Sequence, residues 1–304
     1  MMSRAALALA LSLGAAVASR RRVIFWVEPY ANLTSVTAYT AAWSQFGALE
    51  AAFPGGVTLA GSAYALKPNG SLGYASTAAG EGLHGDIMER FGFAAMRALK
   101  VRTVALVYIT HSAAIAAMLQ NPQPFIDELL ARCKAQGLDG LDLDYEPQGA
   151  ALPASASAAF MGFLSALSQQ MLGAGLTHLS IDIGGCPSFF AFDCAVLAAN
   201  ASAIPGLLAV NTMDSFGATS AADLARAVPV DGAGLNGRWA PGFEPNNPGQ
   251  VAFASMTAFL ASPAACATPA ACPRTIATWE VRESNTGPQP QWLFDAVGVF
   301  LAAP

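Results

Sequence analysis

The stretch "GLDGLDLDYEP", residues 137–147, decides how the chain is read. Only 12% of the 304 residues are charged, yet residues 139–146 hold four carboxylates, Asp139, Asp142, Asp144 and Glu146. The last three alternate with Leu141, Leu143 and Tyr145. Period-2 alternation is the mark of a strand with two unlike faces. One face carries Asp142, Asp144 and Glu146, and the other is apolar. Carboxylates are rarely buried without a partner or a purpose. A strand flanked by leucines and preceded by the amphipathic "PFIDELLARCKAQG" is central, so its acidic face points to chemistry.

The rest of the chain supplies a frame for such a strand. Short β-branched runs at 22–28, 56–66, 102–110, 138–146, 178–185, 207–214, 232–239 and 274–281 alternate with Ala- and Leu-rich segments. Helical patterns fall at 84–99, 121–136, 155–173, 251–261 and the C-terminus. Eight strands each followed by a helix predict an α/β fold, a single-domain (β/α)8 TIM barrel. An open doubly wound sheet normally places a glycine-rich phosphate turn after its first strand. Here that strand runs into "EPYANLT", without glycine. In the barrel, Leu141, Leu143 and Tyr145 pack against helices. The three acids point inward and climb toward the C-terminal rim, where barrel enzymes keep their active sites. Like charges and burial raise the pKa of at least one of them. Glu146, nearest the rim, is the natural proton donor.

Composition narrows the partners. The net charge is −5 and the longest basic run is Arg20-Arg21-Arg22, so nucleic acid is not an expected partner. Beyond the N-terminus no segment has the length of a membrane span. Arg4 followed by "AALALALSLGAAVA" and a small-residue site at Ala16-Val17-Ala18 reads as a signal peptide, residues 1–18, with the mature domain at 19–304. Sequons at Asn32, Asn69 and Asn200 agree with a secreted, extracellular or vacuolar destination. Cys186 with Cys194, and Cys266 with Cys272, are candidate short-loop disulfides, while Cys133 sits in an apolar helical stretch as a free thiol. The cysteines lack CxxC spacing and the three histidines are unpaired, so neither a metal nor a cofactor is expected. Starting at Asp142, the twelfth residue is Pro153, which excludes an EF-hand loop.

"DGLDLDYE", 139–146, resembles the DGxDxDxE signature of glycoside hydrolase family 18, the family of many chitinases. Every fixed position matches, and the likeness is strong over 121–147. It implies a (β/α)8 barrel that cleaves β-1,4 bonds next to N-acetylglucosamine in chitin or chito-oligosaccharides, and a monomer is expected. It assigns Glu146 as general acid and then base, Asp144 as the group that holds the substrate's acetamido, and Asp142 as its buried partner. Asp139, the signature's first acid, is carried with the substrate-binding set. A standard glycosidase sets two carboxyls on either side of the scissile bond. Acids stacked on one strand lie on one side, and family 18 enzymes solve this by substrate assistance, the acetamido oxygen acting as nucleophile.

The resemblance reaches other positions unevenly. Trp279, in "ATWEV", matches a Trp that floors the sugar cleft. "VNTMDSFG" matches the Met-x-Tyr-Asp region with Asp214 as the Asp, but Met213 stands where the family has Tyr. The third strand reads "VYITHS" in place of Ser-x-Gly-Gly, which leaves Tyr108, Thr110 or His111 to supply its hydrogen bonds. Trp26 and Glu28 end the first strand, one of them facing the cleft, and Trp239 lies in a loop within reach of sugar. The same pattern admits an endo-β-N-acetylglucosaminidase acting on N-glycans, or a chitinase-like lectin.

Overall fold

The computed structural model describes residues 21–30, 32–76, 85–148, 152, 155–184, 194–213, 218, 220–231, 235, 237–245, 249–265, 272–279 and 289–303. The strands are β1 (Arg22–Val27), β2 (Val57–Leu66), β3 (Leu72–Tyr74), β4 (Arg102–His111), β5 (Gly140–Gln148), β6 (His178–Ile183), β7 (Leu207–Thr212), β8 (Trp239–Phe243) and β9 (Thr275–Trp279). All but β3 are parallel to their neighbours, in the order β1-β9-β8-β7-β6-β5-β4-β2, and β1 pairs with β2 to close the cylinder. Helical segments follow each of the eight, among them 123–136 before β5, 155–173 after it and 291–302 at the end. This is the expected (β/α)8 barrel. β3 is an antiparallel hairpin on β2, turned at Asn69-Gly70 with Gly70 at φ 82°. An Asn-Gly turn between apolar runs is a hairpin signal, and it was open to reading in "KPNGS".

Two separate apolar clusters show how strand alternation sorts the residues. Ile24, Trp26, Ala60, Val104, Leu106, Ala209, Ala240 and Ala277 line the barrel's interior. Leu141, Leu143 and Tyr145 belong to the larger layer between barrel and helices. There Tyr145 stacks on Phe160 of helix 155–173 at 3.8 Å between ring centroids. The sequence-derived faces of β5 are therefore the observed ones. Cys133 is free and buried in the same layer, and burial pushes its thiol up to about 12. Cys186 and Cys266, one half of each expected disulfide, lie outside the described residues, as does the leader. The three sequon asparagines are all exposed.

One strand differs from expectation. The seventh barrel strand is 239–243, "WAPGF", not 232–239. Pro241 and Gly242 conceal it, since neither favours a strand interior. It pairs with β7 through Trp239, Ala240 and Pro241, and with β9 only through Gly242 and Phe243. Trp239 is consequently a core residue and not a loop platform. It is 1% exposed, and its indole N–H donates to Thr212 Oγ1 at 2.9 Å.

Gly140 fixes the spacing of β5 and β6. A Cβ at this position would lie 1.8 Å from the backbone oxygen of His178, so any side chain must push the strands apart. Gly140→Ala is expected to destabilise the fold by about 2–3 kcal/mol, as overpacking against an unyielding neighbour does. Urea unfolding should show a lower midpoint at unchanged slope. A wild-type midpoint would mean that the two strands are free to separate.

Candidate active site

The inward face of β5 is acidic, beside apolar inward positions filled by Ile24, Ala60, Val104, Leu106, Ala209, Ala240 and Ala277 on other strands. Asp142 is fully buried and Asp144 is 5% exposed, while Glu146 is only partly buried toward the C-terminal end. In register, Asp142 lies between Leu106 and Ser180, and Asp144 between Tyr108 and Asp182. Trp26 reaches in from β1 and donates its indole N–H to Asp142 Oδ2 at 2.8 Å. Asp182 and Asn211 sit side by side on β6 and β7, and the Asn211 amide donates to Asp182 Oδ1. The site is thus a column of three buried carboxyls, Asp142, Asp144 and Asp182, with Glu146 at its open end.

Desolvation dominates its electrostatics. Burial pushes Asp142 up to about 6, against hydrogen bonding with Ser180, Trp26 and Asp182 that pulls it down. Asp144 is held well above the usual carboxylate range by burial, then by the charges of Glu146 and Asp142. Asp182 is raised likewise, by burial first and by Asp142 and Asp144 next, with its Asn211 bond opposing. Glu146 is raised by burial and lowered by a hydrogen bond with Gln148. Asp142 Oδ1 and Asp144 Oδ1 are buried without a conventional donor among the described residues. Leaving such an oxygen charged and unpartnered is costly, which is the burial penalty that raises both pKa values.

The sequence-derived residues are distributed unevenly about this column. Trp26, Tyr108, Asp142, Asp144, Glu146 and Trp279 converge on it. Trp26 is 1% exposed, so it holds Asp142 and does not face the cleft. Trp279 lies over it at 5.4 Å between rings and is partly exposed. The Tyr108 hydroxyl shares a hydrogen bond with Ser62 at 3.0 Å. Met213 is half-buried just past the end of β7, and Glu28 just past the end of β1. His111 is exposed at the end of β4. Asp214 lies outside the described residues.

Asp139 does not join them. It precedes β5 at the opposite end of the barrel, is exposed, and its carboxylate accepts from the Thr103 backbone N–H at 2.8 Å. Its backbone also accepts from Thr177 and His178, so its role is to tie β4 and β6 to the base of β5. Asp182, Ser180 and Asn211 were missed, although "HLSIDIGG" carries the same signal as β5. His178, Ser180 and Asp182 alternate with Leu179, Ile181 and Ile183. Among the described residues no group of three His, Cys, Asp or Glu side chains is arranged to hold a metal ion.

Raised carboxyl pKa values have a definite consequence for stability. The fold holds protons that the unfolded chain releases, so stability is greatest below the unfolded pKa. It falls as pH climbs toward the raised folded value. For Asp142 that window runs from 3.8 to about 6. For Asp182 it opens at 3.8 and extends well upward. Each such carboxyl costs about 1.4 kcal/mol per pH unit within its window. Asp182→Asn keeps the shape and the Asn211 contact but removes one titrating group. Its unfolding free energy, measured in urea from pH 4.5 to 7.5, should fall less steeply than the wild type's. It should meet or exceed the wild type at neutral pH. Parallel slopes would show that Asp182 is ionised in the fold.

No family model and no curated protein matches the chain. Solved structures do. A class V chitinase from Pseudomonas fluorescens Pf-5 superposes with a TM-score of 0.59 at 11% identity, covering 92% of this chain and 99% of that one. A GH18 chitinase from Pseudoalteromonas aurantia gives 0.59 at 13% identity, covering 91% and 99%. An endo-beta-N-acetylglucosaminidase from Cordyceps militaris gives 0.55 at 14% identity, covering 100% and 97%. At such identities the likeness is one of fold: the chain has the (β/α)8 architecture on which these glycosidases are built.

Proposed function

We propose that this chain is a secreted glycoside hydrolase of family 18 type. Its substrates are β-1,4-linked N-acetylglucosamine polymers or oligomers, cleaved by a substrate-assisted, retaining mechanism. The observation that carries the reading is the β5 column: three acids stacked on one inward face, of which only Glu146 is open to solvent. Burial raises the pKa of Glu146, which suits a proton donor near neutral pH. The acids of β5 lie on one side of the site, whereas a two-sided glycosidase sets its carboxyls on opposite sides of the bond. The substrate's acetamido oxygen is the nucleophile, attacking the anomeric carbon as Glu146 protonates the leaving oxygen. Asp144, next in from the rim, holds the amide N–H and stabilises the oxazolinium ion. Glu146 then takes a proton from the incoming water. Trp279, partly exposed at the end of β9 and braced on Trp26, offers a flat apolar face to a pyranose ring. Secretion is supported by the leader-like N-terminus and by the exposure of Asn32, Asn69 and Asn200.

A second reading, an endo-β-N-acetylglucosaminidase on N-glycan cores, has a specific motive. Met213 stands where a Tyr is the family's donor to the acetamido oxygen, and one fold neighbour carries that activity in its name. Incubation with labelled chitotetraose and with a high-mannose glycoprotein separates the two. Retention requires the fresh product to be the β-anomer, and an α-anomer at early times sinks the mechanism.

Glu146→Gln should lower turnover by about 10²–10⁴-fold, the usual worth of a positioned general acid. Tryptophan-fluorescence titration should meanwhile show chitotetraose binding nearly unchanged. Wild-type turnover in this variant would remove Glu146 from the mechanism.

Met213→Tyr tests the departure from the family pattern. A donor placed on developing charge is worth about 2.7–4 kcal/mol at good geometry. A retrofitted phenol should recover less, raising kcat roughly tenfold. A fall in kcat would mean that Met213 shapes a differently built pocket, with another group, such as Tyr108, on the acetamido oxygen.

A further inference from the structure

The N-terminal mouth of the barrel, opposite the acidic column, is lined by donors without acceptors. Ile24, Ala60 and Val104 face the interior on β1, β2 and β4. Two residues earlier on the same faces stand Arg22, Thr58 and Arg102. On β6, His178 precedes Ser180 in the same way. Thr58 is in register with Ile24 on one side and Arg102 on the other, and Val104 is in register through Gly140 with His178, so these side chains lie within one inward step of a common row. Three of their polar atoms, Thr58 Oγ1, Arg102 Nη1 and His178 Nδ1, are buried with no hydrogen-bond partner among the described residues. Thr58 is 0% and His178 2% exposed.

Among the described residues no ion pair uses Arg22 or Arg102. Asp139, at the same end, is committed to the Thr103 N–H. Glu50 is committed to the backbone of Gly55 and Val57. The guanidiniums feel one another instead: Arg102 and Arg274 both depress Arg22, after burial. Burial, with Arg102 and Arg22, lowers His178 to about 3 and keeps it neutral. Buried guanidinium N–H groups and like charges in one layer are costly unless a counter-charge is present. Arg22 and Arg102 are half-buried and Arg274 is exposed, so the layer opens to solvent.

We propose that this mouth binds one small oxyanion of the phosphate or sulfate class, held by Arg22, Arg102 and Thr58. The forked N–H donors of Arg match a tetrahedral oxyanion in pairs. The Thr58 hydroxyl adds a donor, and His178 adds another in its Nδ1–H tautomer. The anion lies at the far end of β5 from Glu146, so its effect is on the stability of the barrel and not on chemistry at the rim. The proposal is independent of the glycosidase reading, and its test needs no activity.

Thermal unfolding is compared in sodium phosphate and in sodium chloride at equal ionic strength, for wild type and Arg102→Met. Isothermal titration of inorganic phosphate into the wild type is run alongside. A protein that binds a ligand only when folded gains stability as the site fills. Wild type should therefore rise by about 3–6 °C, saturating in the millimolar range, with one phosphate bound. Arg102→Met should lose both signals and melt no lower than wild type in chloride, since a crowding charge is gone. General salting-out is linear in concentration and shared by the variant. Should Arg102→Met not fold, Arg22→Gln should weaken phosphate binding at least tenfold in the calorimeter. No saturable heat in wild type, or equal phosphate effects in wild type and variants, overturns the proposal.

Discussion

The desolvation of carboxyl groups inside the barrel is the constraint around which the remaining interior is arranged. An ionised carboxylate moved from water into a protein core costs several kcal/mol even after relaxation. Asp142, Asp144 and Asp182 together could not all carry charge there. The neighbouring strands answer in two ways. Trp26 and Asn211 bring N–H donors to Asp142 and Asp182, and the raised pKa values leave protons on the column. Ala60, Ala209, Ala240 and Ala277 fill the inward positions of four other strands. Small residues there make room for the Trp26 indole to cross the barrel to Asp142. The alanine-rich composition is thus part of how the acids are accommodated.

Parallel strands give the barrel an electrical axis. Cations gather at the N-terminal mouth, with Arg22, Arg102 and Arg274 in electrostatic reach of one another. The acids occupy the middle and the C-terminal end. From Gly140 to Glu146 along β5 is roughly 20 Å at the usual strand rise. Asp142 lies about a third of the way up that path. Burial outweighs any effect of that mouth on the acids, since Asp142, Asp144 and Asp182 are all raised and none of them by a shift traced to an arginine.

Much of this was legible, and each failure has its own physical cause. The β5 face could be read because leucines on one side and acids on the other leave only one orientation in a barrel. "HLSIDI" follows the same rule with one acid in place of three, and Asp182 went unnoticed because a single Asp does not stand out from a surface residue. "WAPGF" was hidden because local propensity argues against Pro and Gly in a strand, while closure of the cylinder demands one there. Tertiary demand outweighs propensity for short strands. Asp139 was misplaced for a different reason. A signature motif groups residues by sequence, but a strand carries its first and last members to opposite ends of the fold. The motif's glycine, by contrast, acquires a steric meaning only when the His178 carbonyl is seen against it.

Trp26 joins the two halves of the site. An indole N–H donates and cannot accept, so its bond to Asp142 Oδ2 fixes that oxygen as an acceptor. The other oxygen, Oδ1, has no hydrogen-bond partner among the described residues. A hydroxyl in place of the indole would leave the direction of the bond open. The same indole packs against Trp279 with the rings tilted by 44°, so Trp279 is braced on a ring that is itself hydrogen-bonded to the column. Movement of Trp279 is limited by Trp26, and Trp26 is limited by Asp142. The acid column and the pair of indoles therefore hold one another in position.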